Sequence, residues 1–159
     1  MLVGVPKEIK VQEYRVGLTP NCVQELVSHG HQVVVEHDAA AGIGFTDQDY
    51  ERAGAKILAT AQEIYATADL IVKVKEPQPS EFSLLRKGQI LFTYLHLAPD
   101  LEQTNALIKS GSIAIAYETV TDAMGGLPLL SPMSQVAGRL AIQVGAHSLE
   151  KPQGGRGLL

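Results

Sequence analysis

The sequence holds a single cysteine, Cys22, and no tryptophan, and its aromatic content is only 5%. One thiol cannot form an internal disulfide, so the chain is held together by burial alone, as proteins of reducing compartments are. No apolar stretch approaches the roughly 18 residues needed to cross a bilayer, and no membrane span is expected. Positive charge is scarce as well. Lys and Arg number 13 against 17 Asp and Glu, a formal net charge of -4, and no basic run occurs. That argues against a nucleic-acid partner, whose binding rests on neutralising phosphates. The opening residues 1–7 pass from a short apolar run straight into charge, the reverse of a secretory signal's order, so a cytoplasmic protein is expected. What is plentiful is apolar content: 45% of 159 residues, enough for one packed domain.

These apolar residues fall in short runs rich in Val, Ile and Leu. Residues 2–5, 32–36, 56–58, 69–75, 89–96 and 112–117 read as strands. Several lack polar alternation, as expected of parallel strands covered on both faces. Between them lie amphipathic segments with helix punctuation. Thr19-Pro20 offers a cap and a first-turn proline, with Gly30 as the stop. Thr46 stands ahead of Asp47 and Asp49, Thr60-Ala-Gln-Glu63 is a capping box, and residues 98–100 open a helix that Gly111 closes. The alternation predicts an α/β fold: an open, mainly parallel sheet with helices on both faces, flavodoxin-like or Rossmann-like. The rhythm breaks after residue 120. Residues 121–130 read as a loop. Met133, Val136, Ala137, Leu140 and Val144 then form a helical stripe, with Gly138, Ala141, Gly145 and Ala146 admitting close backbone approach. The expected organisation is an α/β domain over 1–132, a long C-terminal connecting helix over 133–150, and a linker from 151 to 159. That linker ends on a new apolar run at Leu158-Leu159 and leads towards a further domain.

Ligands of open α/β sheets bind beyond the carboxyl ends of the strands, so the residues placed there are the candidates. The first strand runs into a long polar loop, 6–18, with Lys7, Glu8, Lys10, Glu13 and Arg15. The 69–75 strand ends in Lys73-Val74-Lys75, the 89–96 strand in Tyr94-Leu95-His96, and the last in Tyr117-Glu118. A guanidinium grips a carboxylate through two hydrogen bonds. An ammonium polarises a neighbouring carbonyl oxygen, and an imidazole moves protons near neutral pH. Together they suit a small carboxylic acid bearing oxygen or nitrogen on its α-carbon. Taken singly, each has a plainer explanation. Lys73 and Lys75 share a strand face, and a lysine leaving a buried strand commonly just reaches water. A lone strand-end histidine is commonly structural. Cys22 reads as a small buried hydrophobe. His29-Gly-His31 straddles a helix stop without a carboxylate or thiolate to complete a metal set, so no metal is expected. No G-x-G-x-x-G occurs, so the usual dinucleotide fingerprint is missing.

Six blocks, in order along the whole chain, carry a resemblance: Val3-Gly-Val-Pro-Lys-Glu-Ile9, Glu13-Tyr-Arg-Val-Gly-Leu-Thr-Pro20, Val72-Lys-Val-Lys-Glu-Pro77, Leu91-Phe-Thr-Tyr-Leu-His-Leu-Ala-Pro99, Ala116-Tyr-Glu-Thr119 and Pro132-Met-Ser-Gln-Val-Ala-Gly-Arg139. They resemble the N-terminal, substrate-binding half of the bacterial L-alanine dehydrogenases, in the alanine dehydrogenase/pyridine nucleotide transhydrogenase family. The resemblance implies reversible, NAD-dependent oxidative deamination of L-alanine to pyruvate and ammonia. It gives Arg15 and Lys75 to the substrate, with Arg15 at its carboxylate, and His96 to acid–base catalysis. Tyr94 and Met133 would line the site, and Ser134 would approach NAD, whose main site lies in a separate Rossmann domain. The family's second catalytic acid lies in that domain too, so the chain alone is expected to be inactive. Hexameric assembly is also implied. Two departures from the family pattern stand out: Gly17 in place of a common alanine, expected only to loosen the loop, and Gln135 in place of a frequent glutamate. The alternatives are the corresponding part of the proton-translocating transhydrogenase α subunit and a non-catalytic module that binds small carboxylates.

Overall fold

The computed structural model describes residues 1–157, and the apolar run at Leu158-Leu159 lies outside the described residues. The chain divides into two compact units, Met1–Tyr117 and the segment from Glu118 onward. The first unit is built on six strands: β1 Leu2–Val5, β2 Gln32–Glu36, β3 Lys56–Leu58, β4 Leu70–Val72, β5 Ile90–Thr93 and β6 Ile113–Ala116. Their order is β3-β2-β1-β4-β5-β6 and every pairing is parallel. This is the Rossmann order and not the flavodoxin one, which narrows the sequence reading. The chain winds outward from β1 to β3, then returns to β1's other side with β4. The point where the winding reverses lies between β1 and β4.

The three consecutive valines of β2 show how the sheet is covered. Val33 and Val35 join Val3, Val5, Val23 and Tyr50 in one core, whereas Val34 joins Ile64, Tyr65, Ile71, Leu91 and Leu107 in another. Side chains alternate across a strand, so an unbroken apolar run serves two faces. The first core is capped by α1 (Pro20–Ser28) and α2 (Asp47–Arg52), the second by α3 (Ala61–Thr67) and α4 (Leu101–Ser110). On the second face the sheet and α3 meet closely at Gly4. A Cβ there would lie 2.7 Å from both Ala68 Cβ and Ile64 Cγ2.

Most helix ends follow the sequence signals. Thr60 Oγ1 accepts from Glu63 N–H at 3.3 Å while Glu63 Oε2 accepts from Thr60 N–H at 3.0 Å. Asp100 accepts from Gln103 N–H at 2.9 Å, and Gly111 closes α4 in the left-handed region at φ 67°. Thr19 departs from expectation. Its backbone takes the cap conformation, but its hydroxyl donates to Cys22 Sγ at 3.3 Å, and Cys22 is exposed, not buried.

The second unit carries α5, Ser131–Leu149, none of whose residues is buried. It begins two residues earlier than expected because Pro132 fits a first turn, where its missing N–H costs nothing. The dividing line at Tyr117 also places the 118–130 segment with this helix and not with the α/β unit. That segment contains a turn in which Asp122 Oδ1 accepts from Met124 N–H and Gly126 N–H, at 2.9 and 2.8 Å. No helix among the described residues is long and apolar enough to cross a membrane.

Gly4 supplies a direct test of the packing. Gly4→Ala forces α3 off the sheet and is expected to cost about 1–3 kcal/mol, the usual penalty for overpacking a tight core. Urea denaturation of both proteins measures it.

Candidate functional site

Since β1 and β4 flank the reversal, the loop after β1 and the chain leaving β4 form the crevice where such sheets bind ligands. That loop is pinned along its length. Lys7 N–H donates to Glu36 Oε2 at 2.8 Å, Lys10 Nζ pairs with Glu76 Oε1, and Tyr50 OH donates to Leu18 O at 2.7 Å. Gly17 lies so close to β4 that an added Cβ would run into the Val72 carbonyl group, 2.8 Å from its carbon. The expectation that Gly17 merely loosens the loop is therefore wrong: it permits a tight backbone contact.

The strongest tie is Glu8, which is buried. Its Oε1 accepts from Val74 N–H at 2.6 Å and from Lys75 N–H at 3.2 Å. Its Oε2 faces Lys73 Nζ at 3.2 Å, an ion pair without hydrogen-bond alignment. Lys73 is 0% exposed and also donates to Glu81 Oε1 at 2.9 Å, an oxygen that accepts from Tyr65 OH at 3.1 Å as well. Burial pushes the Glu8 carboxyl above its ordinary range, against the pull of the Lys73 charge and the two backbone donors. β4 is shorter than the sequence suggests. Past Val72 the Lys73 N–H still donates to Phe92 O at 3.1 Å, while the N–H groups of Val74 and Lys75 bind the loop carboxylate.

Arg15 is held by Glu13, with Nε 2.8 Å from Oε1 and Nη2 2.5 Å from Oε2. That bidentate contact raises the guanidinium's pKa and lowers Glu13's. The Lys75 charge also lowers the Glu13 pKa. Tyr94 stacks on His96, ring centroids 6.2 Å apart and planes 15° from parallel, and meets Tyr117 edge-on at 5.0 Å. Tyr117 in turn packs edge-on against Phe92 at 4.3 Å, and burial pushes its phenol pKa up. His96 itself is exposed and has φ 48°, a left-handed conformation unusual for a residue with a side chain. Buried Gln103 of α4 holds the turn beneath it, donating from Nε2 to Leu95 O at 2.9 Å.

Arg15 lies in the loop after β1, Lys75 just past β4, and Tyr94 and His96 just past β5, all in the first unit. Met133 and Ser134 lie in the opening turns of α5, in the second unit. Sequence reasoning placed Glu8, Glu13 and Lys73 at this rim without a role, and missed Gln103. Only the three-dimensional structure reveals that Glu8 pairs with Lys73 and Glu13 with Arg15. The described residues do not build a dinucleotide cradle. The turn after β1 is long and polar with no glycine-rich approach to a helix N-terminus. A cavity bordered by Lys7, Glu13, Tyr14, Arg15 and Asp38 opens beside the loop. Another, bordered by Phe82, Arg86 and Lys109, lies where β5 and β6 begin, the wrong end of the sheet for a ligand.

The fold and this rim define a Rossmann-order α/β domain with cations beside its switch point and an imidazole past the neighbouring β5 end. The family model described as alanine dehydrogenase/PNT, N-terminal domain, matches residues 4–137. Alanine dehydrogenases from Halomonas elongata and Mycobacterium tuberculosis are 57% and 54% identical over this entire chain, which spans 43% of the length of each. A solved L-alanine dehydrogenase superposes with a TM-score of 0.89 at 54% identity, covering 100% of this chain and 44% of that one. A transhydrogenase from Sinorhizobium meliloti gives 0.72 at 31% identity, covering 78% and 35%. The chain belongs to the alanine dehydrogenase/PNT N-terminal domain family.

One further cluster could hold a cation. His37, Asp38 and Asp47 place ligand atoms within 4.8 Å of one another. Both ring nitrogens already face carboxylates, Nδ1 at 2.5 Å from Asp47 and Nε2 at 3.2 Å from Asp38, so the cluster works as an ion-pair knot joining the turn after β2 to α2. The Asp47 hydrogen bond, then the Asp38 charge, raise the His37 pKa above 6.5. A pKa raised by folding stabilises below the unfolded value and ceases to do so as pH climbs through the folded one. Between about pH 6 and pH 8 the urea midpoint is therefore expected to fall, and His37→Gln should abolish that part of the slope.

Proposed function

We propose that this chain is the substrate-binding part of an NAD-dependent L-alanine dehydrogenase, which interconverts L-alanine and pyruvate with release or uptake of ammonia. What supports this reading is that Arg15, Lys75 and His96 stand at the carboxyl ends of neighbouring strands β1, β4 and β5, with Glu13 holding Arg15 and Glu8 tying the loop to the strand end. Arg15 binds the substrate carboxylate, its fork kept in plane by Glu13. Lys75 stabilises negative charge developing on the α-oxygen. His96, on an exposed and conformationally unusual turn, gives and takes the protons of water addition and ammonia release. Tyr94 stacks against His96 and limits the ring's rotation. Met133 is assigned to the wall of the pocket. NAD, when bound, would supply the hydride acceptor for the α-carbon; of the residues here, Ser134 is assigned to contact it, the rest of its site being assigned to a Rossmann domain. Domain limits of 1–132 for substrate binding, 133–150 for the connecting helix and 151–159 for the linker belong to the same reading. So do cytoplasmic location, hexameric assembly and dependence of turnover on the second domain.

The transhydrogenase alternative is weaker, because that structure covers less of the chain at lower identity than the dehydrogenase does. A non-catalytic carboxylate-binding module would need no proton carrier, and the two experiments below separate it. In the full-length protein, Arg15→Ala is expected to weaken pyruvate binding by about 1.5–3 kcal/mol, the scale of a charge-assisted hydrogen bond. Calorimetric titration with pyruvate reads this, and an unchanged affinity removes Arg15 from the site. His96→Ala should lower kcat by roughly a hundredfold or more while pyruvate affinity changes only a few-fold. Equal loss of both would make His96 a structural residue.

A further inference from the structure

We propose that Glu8 is the positioning residue of the substrate site: anchored by buried Lys73, its carboxylate fixes the loop that carries Arg15 against the strand end that carries Lys75. The proposal rests on the reading of Arg15 and Lys75 as substrate-binding groups and adds the device that sets their spacing. Neither group is rigid by itself. Arg15 stands on a long loop, and Lys75 lies beyond the last ladder residue of β4. A small acid held between them needs the two cations at a fixed distance.

Glu8 is the link that provides it. One oxygen, Oε1, binds the N–H groups of Val74 and Lys75, so Lys75's own peptide is fastened to the Arg15 loop. The other oxygen faces Lys73, whose ammonium is fastened in turn to Glu81. Glu81 cannot drift: its Oε1 accepts from Tyr65 OH, and its Oε2 accepts from Gln78 N–H at 2.8 Å. The loop is thus referenced to α3, to the 78–81 turn and to β4 through a chain of directed contacts. The Gly17–Val72 approach and the Lys10–Glu76 pair keep the loop's remaining length against the same strand. An apolar side chain at position 8 could fill the volume, but it could not accept two backbone donors. Burying three ionisable groups is a poor way to gain stability alone, since apolar replacements often hold a fold as well or better. What the arrangement supplies is direction. A displacement of about 1 Å between reacting partners costs on the order of a hundredfold in rate.

The test uses the full-length protein. Glu8→Gln keeps the size and one acceptor oxygen but removes the charge facing Lys73, and Glu8→Asp keeps the charge but shortens the reach. Either variant is expected to raise the KM for pyruvate about tenfold or more, with the KM for NADH held within about twofold. If Glu8 acts through Lys75, the double variant Glu8→Gln/Lys75→Ala binds pyruvate no more weakly than Lys75→Ala alone. A Glu8 variant that melts earlier yet keeps the parent's pyruvate KM overturns the proposal, as do losses that multiply in the double variant. Failure of both Glu8 variants to fold overturns it too, by making Glu8 a folding residue. If Lys75→Ala itself leaves pyruvate KM unchanged, the substrate-site reading falls and takes the proposal with it. If Lys75→Ala raises it while the Glu8 variants do not, only the proposal falls.

Discussion

A lysine with no exposed surface, held between two buried carboxylates, is the constraint on which this molecule's functional end depends. Lys73 sits at the point where β4 stops pairing, and its neighbours Glu8 and Glu81 arrive from a distant loop and from the turn that follows. Removing the cation alone would leave two carboxylates facing each other out of water, so the three side chains stand or fall as a set. The set is polar where an apolar plug would serve, and it lies beside the crevice and not in either core. Its position identifies it with the site more than with the fold.

The sheet explains why the crevice is there at all. Reversal of winding between β1 and β4 leaves two strand ends whose connections depart in opposite directions, opening a gap that helices do not cover. Loop 6–19 fills part of that gap and lies against β4 at a distance only Gly17 tolerates. The glycine, the buried carboxylate and the Lys10–Glu76 pair are three solutions to one problem, that of holding a long loop still without secondary structure of its own.

How much of this could be read from the sequence depends on whether the signal was local. The three valines of β2, the Thr60 capping box and the Gly111 stop act over a few residues, and the strands and helices they announce are present within a residue or two. The strand ends were overextended because residues 73–75 look like more of the same apolar-spaced strand. A glutamate 66 and 67 positions away takes the N–H groups of Val74 and Lys75. Lys73 reads as a lysine on its way to water for the same reason, since its partners are invisible along the chain. Thr19 satisfied the cap pattern, yet its hydroxyl donates to Cys22 Sγ and accepts from no helix N–H, because a pattern states what a side chain can do and not which partner it takes. At the site, residue types at strand ends named Arg15, Lys75, Tyr94 and His96, and the sheet order sets those strand ends side by side. The groups that hold them in place, Glu8, Glu13 and Gln103, had no local signature beyond being polar.

The topology carries a last consequence for the chemistry. A 3-2-1-4-5-6 sheet is the frame on which dinucleotides are commonly bound, and what makes it so is a short glycine-rich turn after β1 that brings phosphate against a helix N-terminus. Here the same position holds a long loop whose side chains, not its backbone, face the crevice, and α1 opens with Pro20, which has no N–H to offer. Replacing a backbone cradle by side chains exchanges selectivity for phosphate against selectivity for a smaller, flatter anion. An arginine fork meets such an anion in its own plane. Identical winding can therefore serve different ligand classes, according to the length and composition of a single connection. Function belongs to what is grafted on the fold and not to the fold itself.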